Sequence, residues 1–179
     1  MHGVIFAELK KFVDANLGGD AWKTLLKEAG LGSRIYLPLR AYPDEELVAL
    51  VSTASRLTGT PVRDLQKAYG EFIAVGLLKM YRSFLKPEWK TLDVIENTEA
   101  QVHTRVRVNE VGAKPPYLDA VRVAPNEVVV YYSSERKLCA VAEGVAIGMA
   151  KHFGEAVSVT QPRCMSDGYD KCEIRVVVN

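Results

Sequence analysis

Charge imbalance is nearly absent from this chain: 23 Lys and Arg stand against 22 Asp and Glu, a formal net charge of +1. No global field therefore draws it to nucleic acid or to a membrane surface. Long apolar runs are missing too, so no segment reads as a membrane span. Residues 1–19, MHGVIFAELKKFVDANLGG, carry charges throughout and lack the apolar core and cleavage site of a secretory signal, which points to the cytoplasm. Cysteine is scarce. Cys139, Cys164 and Cys172 are an odd number that gives no disulfide framework, and in a reducing compartment they are buried thiols, metal ligands or redox groups. Histidine is as rare, with His2, His103 and His152 only. No nucleophile–base pair or paired carboxylate cluster stands out, which argues against an enzyme.

What is present is ordinary globular material: 48% hydrophobic and 25% charged residues over 179 positions, enough for one domain with a real core. Apolar positions in 2–17 recur at helical spacing, and Gly18-Gly19 stops that run. Asp20 caps a second helix that Gly30 ends. Residues 44–58 form a third helix with acids in its first turn. Thr60 caps, and Pro61 opens, a long fourth helix in which Gly70 and Gly76 allow close packing. Residues 91–111 read as one further helix carrying His103.

After Gly112 the pattern changes. Asp119–Val123 and Glu127–Ser133 read as two strands about a Pro-Asn turn, 135–153 as a long helix, and the remainder as two strands around SDGYD. Helices first and β-β-α-β-β afterwards make an α+β fold, with an N-terminal helical subdomain packed on a C-terminal four-stranded antiparallel sheet with its long helix.

At the junction of the second strand and the long helix lies YYSSER, containing Tyr132, Ser134 and Arg136 at spacings of two. Alternate strand residues point the same way, so two hydroxyls and a guanidinium fork form a cradle for paired anionic groups. The plainer reading is a polar junction with Ser134 as the helix N-cap. His103 likewise has two readings, a core or surface histidine among Ile95, Val102 and Val106, or a metal ligand.

Taken together, the Met1-x-Gly3 start, PDEELVALVSTASRLTG, YGEFI, His103, the Lys114-Pro115-Pro116 turn and Tyr132-x-Ser134-x-Arg136 resemble the haem nitric oxide/oxygen binding (H-NOX) family, over nearly the whole chain. The resemblance implies haem b held between a distal subdomain, 1–60, and a proximal one, 61–179. It implies His103 as the axial iron ligand, Tyr132, Ser134 and Arg136 on the propionates, and Pro116 with Pro115 against the porphyrin. By ungapped count from YxSxR, Val141 stands where oxygen-binding members carry a distal tyrosine, and Leu9 and Ile73 stand at other distal positions. All three are apolar, which favours nitric oxide (and carbon monoxide) over dioxygen, the ligand that gains most from a hydrogen-bond donor. The implied partner is a histidine kinase or a cyclic-di-GMP enzyme acting in trans.

Cys164 and Cys172 flank a hairpin across which they can face one another, and the neighbouring helix start can bring Cys139 near them. Three thiolates suit zinc with a fourth ligand from elsewhere. Such cysteines also resemble the cysteine-bearing end of 4-vinyl-reductase-type small-molecule-binding domains, and some H-NOX proteins carry a zinc–cysteine site there. His152 lies about four turns beyond Cys139, too far to share its site. The alternative is that they are buried thiols. Three functions therefore stand: a haem-based nitric oxide sensor, a zinc–thiol redox sensor on the same fold, and a pocket for another small ligand. Glu143, amid AVAEGVAIG, is expected at a buried or interfacial position without an assigned role.

Overall fold

The computed structural model describes residues 1–38, 40–109 and 112–179. Four helices come first: α1 (Gly3–Leu17), α2 (Ala21–Glu28), α3 (Asp44–Thr58) and α4 (Val62–Met80). α1 turns Phe6, Leu9 and Val13 inward, and α2 turns Trp22, Leu25 and Leu26, the three- and four-residue spacing of a single helical face. α3 has Asp44, Glu45 and Glu46 in its first turn and Gly59 at its end in the left-handed conformation, so dipole and C-cap agree with its bounds. These faces and one side of α4 close a first core, in which Phe6 stacks on Tyr36 with centroids 4.1 Å apart.

α5 (Thr91–Thr98), a π turn (Glu99–His103) and α6 (Thr104–Asn109) follow, then strands β1 (Tyr117–Ala124) and β2 (Glu127–Ser133), helix α7 (Cys139–Phe153), and strands β3 (Val157–Arg163) and β4 (Cys172–Val178). The sheet is antiparallel in the order β1-β2-β4-β3, so two hairpins join at their inner strands. β2 is central, and Val128, Val130 and Tyr132 on its inner face meet Ile174 and Val176 of β4 beneath α5 and α7 in a second core. Val128 is fully buried, a contribution of about 1.5–3 kcal/mol from one side chain.

The two cores are joined where α4 crosses α7. A Cβ built on Gly144 would lie 2.0 Å from the Lys67 carbonyl oxygen, and one on Gly70 would lie 2.1 Å from that of Val141. Backbone meets backbone there, and only glycine permits it. Gly76 faces only the far end of Glu8, so of the two glycines expected to pack closely it is Gly70 that does.

The fold class read from the sequence is the one observed, with local corrections. The helix expected over 91–111 is interrupted by the π turn, and Glu110 and Val111 lie outside the described residues. α7 begins at Cys139 rather than 135. Lys137 has a φ of 52°, and the Ser134 hydroxyl accepts from the Arg136 amide at 3.3 Å, so a turn occupies the expected first helical turn and Ser134 is not the cap. Pro61, not Thr60, is the N-cap of α4, and Asp20 caps α2 by position without a side-chain bond. β1 is longer than the strand expected over Asp119–Val123. Among the described residues no helix is long and apolar enough to cross a membrane.

Candidate functional site: a cavity shared by both cores

A cavity of about 570 Å³ is bounded by residues of both cores. That size is typical of a cofactor pocket, and its lining is mostly apolar. Leu9 comes from α1, Ile73 from α4 and Val141 from α7. His103 ends the π turn, Pro115 and Pro116 lie in the segment before β1, and Tyr132, Ser134 and Arg136 lie at and just beyond the end of β2. All of these line the one cavity, so positions more than a hundred residues apart in sequence are brought together.

Tyr132 alone sits on a strand. Ser134 and Arg136 belong to the turn that follows, so the turn, not strand alternation, brings the three polar groups to one rim. Burial pushes the Tyr132 phenol up to about 12, partly offset by its hydrogen bond with Ser134. The Arg136 Nε donates to Asp44 Oδ2 at 2.7 Å, and its Nη1 to the Lys114 carbonyl at 2.5 Å. The guanidinium is thus held by two elements, with Nη2 making neither bond.

His103 is largely buried, its side chain 16% exposed. Burial pulls its basicity below that of a free imidazole, and nearby Glu99 restores only part of it. Nδ1 lies 3.2 Å from Glu99 Oε2. With that nitrogen engaged, Nε2 of a neutral ring is left to ligate a metal in the cavity. Single π turns inside helices are frequent at functional sites, and this one ends at the histidine.

Tyr69 also lines the cavity. Its hydroxyl donates to the Ile5 carbonyl at 2.7 Å, which ties α4 to α1. Buried imidazole, apolar walls, and two hydroxyls with a guanidinium at one rim fit a planar, largely apolar metal cofactor bearing paired carboxylates.

A sequence model of the family described as Haem-NO-binding matches residues 2–161. The chain belongs to the H-NOX family. It is similar to an H-NOX protein from Shewanella oneidensis in its Fe(II)NO ligation state, with TM-score 0.92, 26% identity, and coverage of 100% of this chain and 99% of that one. The structure of the H-NOX domain of the same organism in its Fe(II)CO ligation state matches at TM-score 0.88, 26% identity, and 100% and 99% coverage. An Fe(II) unliganded H-NOX mutant from K. algicida, at 21% identity with 100% and 97% coverage, shares the fold at TM-score 0.89. No curated protein matches in sequence. H-NOX domains bind haem and serve as gas sensors, not catalysts.

Outside the haem-type cavity of this H-NOX chain, the three cysteines converge. Their sulfurs lie within 4.8 Å of one another, with Cys139 to Cys164 at 3.6 Å and Cys164 to Cys172 at 3.9 Å. Burial pushes the Cys172 thiol up to about 12. Burial also acts to raise Cys164, but hydrogen bonds from Ser166 and the neighbouring thiols outweigh it and bring it down. His152 is not in the group.

Glu143 finds its explanation beside them. The buried carboxylate pairs with Arg63 and, at 3.6 Å, with Lys67, across the α4–α7 crossing. Arg63 Nη2 also donates to Gln161 Oε1 at 2.6 Å, and the guanidinium contacts Cys139. Arg63, Glu99 and Asp44 were not singled out from sequence. Glu99, His103 and Arg107 follow one another at spacings of four, the helical-neighbour signal that could have flagged the first. Arg63 and Asp44 have no such local signal.

Proposed function

We propose that this chain is a haem-based nitric oxide sensor that excludes stable dioxygen binding. One observation carries the reading: a single cavity gathers one buried imidazole, a hydroxyl–hydroxyl–guanidinium rim and the apolar side chains Leu9, Ile73 and Val141. Haem b held there would supply a ferrous iron able to take nitric oxide or carbon monoxide. His103 would ligate that iron, Tyr132, Ser134 and Arg136 would hold the propionates, and Pro115 and Pro116 would contact the ring. The side chains at positions 9, 73 and 141 offer no proton to a polarised ligand. The Tyr69 hydroxyl is already given to Ile5.

His103 also tethers the π turn, and with it α5 and α6, to whatever the cavity holds. Loss of that tether lets a distal unit, residues 1–60, shift against a proximal unit, residues 61–179. The interlocked glycines of α4 and α7 support placing α4 with the proximal unit. A partner that binds the two arrangements differently reads the change. We assign that partner as a histidine kinase or a cyclic-di-GMP enzyme in the cytoplasm, acting in trans.

Titration of haem into the apo-protein, followed by absorption, tests the cofactor. One equivalent is taken up by the wild type, and His103→Ala and Arg136→Ala weaken uptake. A wild type that takes up none overturns the reading.

The cysteine cluster favours a second reading, a zinc–cysteine thiol redox sensor on the same fold. The three thiols fill three of the four positions zinc requires. Among the described residues no histidine or carboxylate joins them as a fourth, and the Arg63 guanidinium stands beside Cys139. Elemental analysis of the wild type, Cys164→Ser and Cys172→Ser decides it. Stoichiometric zinc lost in both variants supports the metal, and zinc-free wild type removes it.

A further inference from the structure

Glu99 is the busiest carboxylate near the cavity. Its Oε2 lies 3.2 Å from His103 Nδ1 and accepts from the Leu118 amide at 3.1 Å. Its Oε1 accepts from Arg107 Nη1 at 2.6 Å. Arg107 Nη2 in turn donates to the Pro116 carbonyl at 2.9 Å, while the same guanidinium sits 4.1 Å from the centroid of the Tyr117 ring. One carboxylate therefore grips the imidazole, the start of β1 and, through Arg107, the segment carrying Pro116.

We propose that Glu99 is the positioning residue for His103: it fixes the ring with Nδ1–H toward the carboxylate and Nε2 toward the cavity, and it sets how strongly Nε2 binds iron. The inference rests on the haem reading above. Three arguments support it. First, a carboxylate accepting from Nδ1–H leaves the lone pair on Nε2 and drives electron density toward it, which strengthens a bond to metal. Second, the carboxylate is itself held in place: Arg107 Nη1 donates to its Oε1 at 2.6 Å and the Leu118 amide to its Oε2 at 3.1 Å, so the oxygen facing Nδ1 has a fixed position. Third, the π turn keeps Glu99 and His103 together. The two residues are its first and last, so the widened turn that aims the histidine also sets its partner.

When His103 is not bound to iron, Glu99 still holds it to Leu118 and, through Arg107, to Pro116. Movement of the ring is therefore delivered to the start of β1 rather than dissipated in a free side chain.

Resonance Raman spectroscopy of the ferrous holoprotein tests this directly through the iron–histidine stretching vibration. Its frequency falls from wild type to Glu99→Gln, where the acceptor is neutral, and further in Glu99→Ala, where none remains. Haem affinity falls in the same order, by about 10- to 100-fold for the alanine variant. A purely structural Glu99 would lower thermal stability and leave the frequency unchanged, so an unchanged frequency in haem-loaded Glu99→Gln overturns the proposal. Glu99→Gln keeps the shape of the side chain and serves if the alanine variant does not fold. A wild type without haem overturns the haem reading itself, an outcome distinct from a haem-loaded series with constant frequency.

Discussion

Arg136, in the turn after β2, donates from Nε to Asp44 Oδ2 at 2.7 Å, in the first turn of α3. This ion pair joins the rim of the cavity to the first core across 92 positions of sequence. Burial acts to raise the Asp44 carboxyl, but the Met1 ammonium and Arg136 outweigh it and hold it below its usual value. A depressed carboxylate stabilises the fold above its unfolded pKa, about 3.9, and that contribution is lost as pH falls through the folded value. The apo-protein should therefore melt higher than Asp44→Asn above about pH 4, with the difference closing at lower pH. A gap that stays constant through the acid range would show that Asp44 is not the titrating partner.

The proposed preference for nitric oxide over dioxygen rests in part on Val141. Its side chain lines the cavity from the first turn of α7 and carries no donor. Val141→Tyr places a hydroxyl there. A hydrogen bond to a charged or strongly polarised group contributes about 1.5–3 kcal/mol, so dioxygen affinity should rise by roughly 10- to 100-fold. Carbon monoxide affinity should change much less. Parallel titrations of the ferrous proteins with both gases measure the ratio. Equal changes for both would mean that position 141 acts by volume alone.

The α4–α7 crossing has no room for a methyl group. Gly144→Ala would put a carbon 2.0 Å from a backbone oxygen. Overpacking of this kind costs roughly 2–3 kcal/mol. Urea denaturation should show a lower midpoint with an unchanged slope, the sign of lost stability without a changed unfolded state. A midpoint equal to that of the wild type would mean that the two helices separate freely, and the subdomain boundary placed after residue 60 would then have no basis.

Elements whose signals are local were legible in the sequence. α3 runs from Asp44 to Thr58 as read, because its first-turn acids and terminal Gly59 both act within a few residues. β2 and the antiparallel hairpins were legible for the same reason, from runs of β-branched and aromatic residues bounded by short turns. The π turn was not. A one-residue widening of a helix leaves no trace in hydrophobic period, and Val102 within it and Val106 just beyond it keep helical spacing. The start of α7 was misread because Ser134 resembles an N-cap, whereas its hydroxyl serves a turn that ends in the left-handed Lys137. The cavity residues were found through the order of His103, the proline pair and YxSxR. The support Asp44 gives Arg136 was not, since the two meet across 92 positions of sequence, and Arg63 likewise meets Glu143 across 80.

The most direct measurement is the visible absorption spectrum of the purified ferrous protein, recorded in air and then with nitric oxide. A haem protein that forms no stable dioxygen complex in air and then binds nitric oxide with release of His103, read as a five-coordinate spectrum, is the expected result. A colourless protein that cannot be reconstituted with haem, or a stable oxygenated spectrum in air, would contradict it.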